Sequence, residues 1–224
     1  MEVQMTGAVA QQWLAGRWLA DGSLDSVVEI NLQCLEYLGA MAVAPHQTCP
    51  ALFAGQLAGW RDLSAGARGQ LAASPYLLAD AGFDDESRWQ LLAQRMVQDL
   101  PATQAEPVFI GPGAGDFIRR VLMFGWHLAR ANRQLARVVL GMSPGSAIRI
   151  AALRLQDMDW LAQHRPGWVR PRWEKQPRIW RHLLLAARDP DRDHLTQVSL
   201  RGLQLMAANV LGADAVAATR PRRA

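Results

Sequence analysis

Apolar residues fall at Leu24, Val27, Val28, Leu32, Leu35, Leu38 and Met41, mostly three or four positions apart. That period puts them on one face of a helix over residues 24–43, with Ser23 or Asp25 as its cap. Val121, Leu122, Phe124, Leu128 and Leu135 predict a long helix over 117–140, capped by Asp116 and ended by Gly141-Met142. Ile179, Trp180, Leu183, Leu184 and Ala187 give the inward face of a helix over 177–187 that opens on Pro177. Trp173 and Trp180 are therefore expected inside, and Arg178 and Arg181 outside. Shorter helices are predicted over 11–19, 52–60, 64–73, 89–100, 144–151, 155–164 and 195–211. Ser143-Pro144 gives a sharp start to the helix over 144–151. Residues 76–83 and 168–173 read as extended, each set off by a proline.

Residues 101–115 hold three prolines and three glycines without a helical period, so they read as a linker. The organisation that follows is an N-terminal helical half over 1–100, the linker over 101–115, a C-terminal helical half over 116–215 and a disordered basic tail over 216–224. Shifting one half by 90 places Leu63 on Leu153, Leu71-Ala72 on Leu161-Ala162, Phe83 on Trp173 and Asp84 on Glu174. One residue of slippage then brings Trp89 onto Trp180. The expectation is a duplicated unit whose first copy is degenerate.

Composition narrows the class. Half of the residues are apolar, nine are tryptophan, and β-branched residues rarely run together, so the predicted fold is all-α. Cys34 and Cys49 are two isolated thiols, which suits a reducing cytoplasm better than a disulfide framework. The start, Met1-Glu2-Val3-Gln4, lacks the basic and apolar regions of a signal peptide. The weakly apolar run 205–218 carries Asn209 and Asp214 and is short of the roughly 20 residues of a membrane span, so no membrane association is expected.

Sites for chemistry are scarce. Gly111-Pro112-Gly113-Ala114-Gly115 precedes a helix, but Asp116 would repel a phosphate there, so the stretch reads as linker. His46, His127, His164, His182 and His194 are scattered, and no metal or other cofactor is expected. His127 reads as a core or interface residue and Cys34 as a small core residue. Gly141-Met142-Ser143-Pro144-Gly145 has the Gly-x-Ser-x-Gly form without a preceding strand, so it reads as a capped helix start and not a nucleophile elbow. No enzymatic activity is expected. Between residues 165 and 188 lie Arg165, Arg170, Arg172, Lys175, Arg178, Arg181 and Arg188, opposed by Glu174 alone and interleaved with Trp168, Trp173 and Trp180. The net charge of +4 permits a nucleic-acid partner without requiring one. The segment reads either as a surface that contacts phosphates or an acidic partner, or as a solvated helix face over core tryptophans.

Leu140-Gly141, Ala147, Ala152-Leu153, Leu155, Met158, Leu161-Ala162 and Arg172 fit the pattern L-G-x5-A-x4-A-L-x-L-x2-M-x2-L-A and its downstream arginine. In this pattern residues 116–173 resemble FlhD, a subunit of the flagellar master transcriptional regulator of proteobacteria. Leu63, Leu71-Ala72, Leu77 and Phe83-Asp84-Asp85 resemble its later part in the first half. The resemblance implies an all-α coregulator that contacts DNA weakly or through an FlhC-like partner, the partner carrying the zinc. FlhD proteins are shorter and act as homodimers, so two fused copies imply a pseudo-dimer, with self-association as a further expectation. Val169 stands where many FlhD proteins have a cysteine, so their intersubunit disulfide is not implied. Two readings follow: an FlhD-like transcriptional coregulator working with a partner subunit, or an all-α protein–protein adaptor that does not bind nucleic acid.

Overall fold

A computed structural model of the protein describes residues 23–43, 50–93 and 106–219. The helix expected over 11–19, the end of the helix over 89–100, Cys49, the linker's first residues and the end of the basic tail lie outside the described residues. The fold is all-α. Its elements in order are α1 (Ser23–Val43), a 3₁₀ turn (Ala51–Phe53), α2 (Leu57–Arg61), α3 (Ala65–Ala72), β1 (Ala79–Asp80) and α4 (Glu86–Ala93). Then come α5 (Ala114–Ala131), α6 (Arg133–Leu140), α7 (Pro144–Ala152), α8 (Leu155–His164), a second 3₁₀ turn (Pro166–Trp168), β2 (Arg170–Pro171), α9 (Pro177–Ala186) and α10 (Arg192–Thr219).

The stripe on α1 is buried at Val27, Ile30, Cys34, Leu35, Leu38 and Met41, and packs on α2, α3 and α5. One polar residue sits within it. Asn31 is fully buried and donates to the carbonyls of Ala72 at 3.0 Å and Tyr76 at 2.9 Å. Its own carbonyl accepts from the Leu78 amide at 2.7 Å. A buried amide must find partners, and these three fix the turn that carries the chain from α3 into β1.

Several boundaries differ from the sequence reading. The helix expected over 117–140 is two helices, because Asn132 turns extended at φ −152° and its side chain caps α6 by accepting from the Leu135 amide. α5 begins at Ala114 behind left-handed Gly113, so Asp116 lies inside the first turn and is not the cap. The helix expected over 52–60 is a 3₁₀ turn followed by the short α2. α10 continues to Thr219, where a disordered tail was expected from 216. His127 is exposed on α5 and is not a core residue.

Two extended pieces far apart in sequence meet as an antiparallel ribbon, with Ala79 opposite Pro171 and Asp80 opposite Arg170. The helices that follow each strand cross over. α4 packs on α7, while α9 packs on α2 and the Ala51–Phe53 turn. Within each run the long helix instead packs on its own short helices, α1 on α2 and α3, and α5 on α7 and α8.

Candidate functional site

The basic segment is shaped by what surrounds each arginine. Arg172 leaves β2 and turns inward, with its side chain 8% exposed. Its Nε donates to the Leu77 carbonyl at 2.7 Å and its Nη2 to the Leu140 carbonyl at 2.9 Å. Nη2 also lies 3.6 Å from Asp80 Oδ1. The Arg172 amide donates to Leu78 at 2.7 Å, extending the ribbon. Gly141 makes room for this. It ends α6 at φ 67°, and a Cβ there would stand 3.3 Å from Arg172 Nη1. Arg172 was expected on a surface and is instead a staple between the ribbon and the end of α6.

Arg170 is also engaged. Its guanidinium forks onto Glu174, with Nη2 to Oε1 at 2.7 Å, and donates to the Glu106 carbonyl at 2.9 Å. Arg165 is half-buried, its guanidinium 5.8 Å from the Trp160 ring centre. Arg188 is exposed and donates to the Gly59 carbonyl on α2. Lys175, Arg178 and Arg181 are exposed. On α9, Trp180, Leu183, Leu184 and Ala186 face the core, as does Ala187 just beyond it. Trp173 is 9% exposed and Trp180 fully buried, as the helical spacing predicted. The structure thus brings Arg178, Arg181 and Arg188 along one outer face with His182 and Leu185, gathers Arg170, Arg172 and Lys175 around a cleft beside the ribbon, and leaves Arg165 apart from both.

Beside the ribbon lies a cleft of about 310 Å³. Trp168 and Trp173 wall it, and Asp80, Asp84 and Glu174 with Arg88, Arg170, Arg172 and Lys175 supply its charge. The Arg88 guanidinium sits 4.8 Å from the Trp168 ring centre, a cation–π contact. Trp173 has φ 53°, a left-handed conformation that costs a bulky residue about 1–3 kcal/mol. Its neighbours hold it there. The Trp173 ring meets Tyr76 edge-on at 5.4 Å, and its carbonyl accepts from the Gln176 amide at 2.8 Å. The glycine Gly202 lets α10 lie close to both rings, since a Cβ there would fall 2.5 Å from Tyr76 Oη. Gly82, just after β1, has the comparable φ of 66°. Among the described residues no serine, threonine, cysteine or histidine lines the cleft.

Asp80, Asp84, Arg88 and Asn31 were not singled out as site residues from sequence. The pairing of Asp84 with Glu174 at an offset of 90 is the one sequence signal that links an acid of the first half to the basic segment of the second. Burial, and then the neighbouring Asp80 carboxylate, push the Asp84 carboxyl above its ordinary value of 3.8. The fold therefore favours the neutral form. The stability this preference confers is complete below 3.8 and is lost as pH rises through the raised folded value. Asp84→Asn is expected to raise the melting temperature at pH 7, with the gain shrinking to nothing as the pH falls below the ordinary carboxyl value. Melting curves of both proteins across that range check this, and equal midpoints at pH 7 would contradict it.

Elsewhere, burial also pushes the Cys34 thiol up, so it stays protonated in the core and is no nucleophile. Among the described residues no three His, Cys, Asp or Glu side chains are grouped to hold a metal ion. No described helix is long and apolar enough to cross a membrane. Ser143, within the Gly-x-Ser-x-Gly stretch, caps α7 by accepting from the Ser146 amide at 3.0 Å. Of the residues that carry the FlhD-like pattern, Leu140, Ala147, Leu153, Met158, Leu161 and Ala162 are core residues, while Ala152 and Leu155 are exposed. Set against known proteins, the chain matches no family model, no curated protein and no solved structure.

Proposed function

We propose that the protein is an all-α adaptor that binds other proteins and does not bind nucleic acid on its own. The fate of the basic segment carries this reading. A phosphate-tracking surface needs several free cations facing one backbone. Here Arg172 is spent on two carbonyls inside the fold and Arg170 is forked onto Glu174. The cations left on α9 share their face with Leu185, which is 51% exposed. A mixed apolar and cationic face suits a protein partner better than a phosphate backbone.

A second reading, the FlhD-like coregulator with an FlhC-like partner, draws support from the chain's internal arrangement. The two strands correspond at an offset of 91, Ala79 to Arg170 and Asp80 to Pro171. Their antiparallel register pairs each residue with the counterpart of its neighbour, as a two-fold axis through the ribbon requires. The exchange of α4 onto α7 and α9 onto α2 has the same reciprocity. Gly82 and Trp173, both left-handed, correspond at that offset, as do Trp89 and Trp180. These features support a fused pseudo-dimer, the form implied by the resemblance, but a pseudo-dimer can serve an adaptor equally well.

The test is association of the full chain with duplex DNA over a series of salt concentrations. An adaptor shows no salt-sensitive binding. A coregulator with its own phosphate contacts gives an affinity falling with salt at a log–log slope of roughly −0.9 per phosphate. That outcome would replace the first reading with the second.

A further inference from the structure

We infer that the outer face of α9 is a docking strip for an acidic amphipathic helix of a protein partner. The inference rests on the adaptor reading and adds where the partner sits and what chemistry it carries. Arg181, His182 and Leu185 lie three, four and seven residues after Arg178 on α9, and Arg188 follows three residues after Leu185, just beyond the helix end, so they form a single stripe. At 1.5 Å per residue it runs about 15 Å, the span of nearly three turns of a partner helix. Leu185 lies near the middle and is 51% exposed.

The stripe is ready to receive something. No ion pair or hydrogen bond engages Arg178, Arg181 or His182 among the described residues. The acid that follows the stripe, Asp189, is turned to His194 at 2.9 Å and accepts from the Asp191 amide at 3.0 Å. Beneath the stripe, α9 is fixed by buried Trp180, Leu183 and Leu184. At its far end the Arg188–Gly59 hydrogen bond ties it to α2. A face held this firmly loses little freedom on binding.

Charge and shape select the occupant. Guanidinium groups fork onto carboxylates, so Arg178 and Arg181 call for Asp or Glu about one turn apart. Leu185 calls for an apolar side chain between those acids, which an amphipathic helix supplies and a phosphate backbone does not.

The probe is a synthetic, fluorescently labelled helical peptide with a leucine stripe flanked one turn away by glutamates, titrated against the full chain by anisotropy. A peptide of the same composition with its leucines scattered around the helix serves as control. Binding to the striped peptide alone is expected. Leu185→Asp should weaken it about tenfold or more, a hot-spot effect, without changing the melting temperature, because Leu185 is outside the core. Arg178→Glu with Arg181→Glu should abolish binding to the glutamate peptide and create binding to a lysine version. Equal binding of striped and scattered peptides, or an unaffected Leu185→Asp variant, overturns the proposal. So does self-association that Leu185→Asp abolishes, which would make the occupant a second copy. If neither peptide nor duplex DNA binds, the strip is discarded while the adaptor reading stands. Salt-sensitive DNA binding by the same preparation removes both.

Discussion

Truncating Trp180 to alanine is expected to destabilise the protein by about 3–5 kcal/mol, among the largest effects available to one substitution. The indole is fully buried and lies 5.2 Å from the Trp60 ring centre, which in turn meets Phe53 at 5.4 Å. These rings are what α9 rests on, since it packs against α2 and the Ala51–Phe53 turn. Removing the Trp180 ring leaves a cavity that helices anchored elsewhere cannot close. It also strips the Arg172 carbonyl of its partner, the Trp180 indole N–H at 2.7 Å. An unpaired buried carbonyl adds to the loss. For a domain of this size the melting temperature should fall by roughly 6–20 °C. Trp180→Phe keeps most of the volume but not the donor, so it should fall between parent and alanine variant. A Trp180→Ala protein that melts with the parent would mean that α9 is not seated on this aromatic cluster.

The elements that could be read from sequence are those whose signals are local. Ser143 and Pro144 open α7 by a side-chain cap and a fixed φ, and neither depends on the rest of the chain. α8 spans Leu155–His164 as expected, and α9 stops one residue short of the expected end. The misjudged boundaries came from weak local preferences decided by context. Asn132 is tolerable inside a helix, yet here its side chain caps a new one, and the apolar stripe passes through the break undisturbed. Gly113 precedes α5 because its left-handed conformation brings the backbone under Tyr37, whose hydroxyl donates to the Pro112 carbonyl at 2.9 Å.

The site was less legible, because its residues take their roles from distant partners. Spacing alone shows that Trp180 faces in and Arg178 out. It does not show that Arg172 does the same as Trp180. Arginine is among the residues most often exposed, and only the meeting of β1, β2 and the end of α6 gives this one buried acceptors. Asn31 is the converse case. A polar residue inside an apolar stripe is visible in the sequence, but its three partners lie 41 to 47 residues away in the chain.

Replacing Arg172 with methionine is expected to cost about 3–5 kcal/mol, the range for breaking a buried charged network by removing one member. Methionine fills much of the same volume, so the loss is electrostatic and not a cavity. The carbonyls of Leu77 and Leu140 would lose donors at 2.7 and 2.9 Å, and Asp80 would lose its nearest cation. Lysine keeps the charge but offers one ammonium where the planar guanidinium reaches two carbonyls from separate nitrogens, so Arg172→Lys should recover only part of the loss. Asp80 offers a further check. At 3.6 Å the pair is looser than the carbonyl bonds, and the Asp80 side chain is 28% exposed. Asp80→Asn alone should therefore cost less than Arg172→Met. In the methionine background the same change should be neutral or stabilising, because it removes a carboxylate left without its cation. Urea unfolding of the four proteins gives the coupling directly. If Arg172→Met unfolds at the parent's denaturant midpoint, the arginine is not the staple of this ribbon and its carbonyl partners are satisfied by other means.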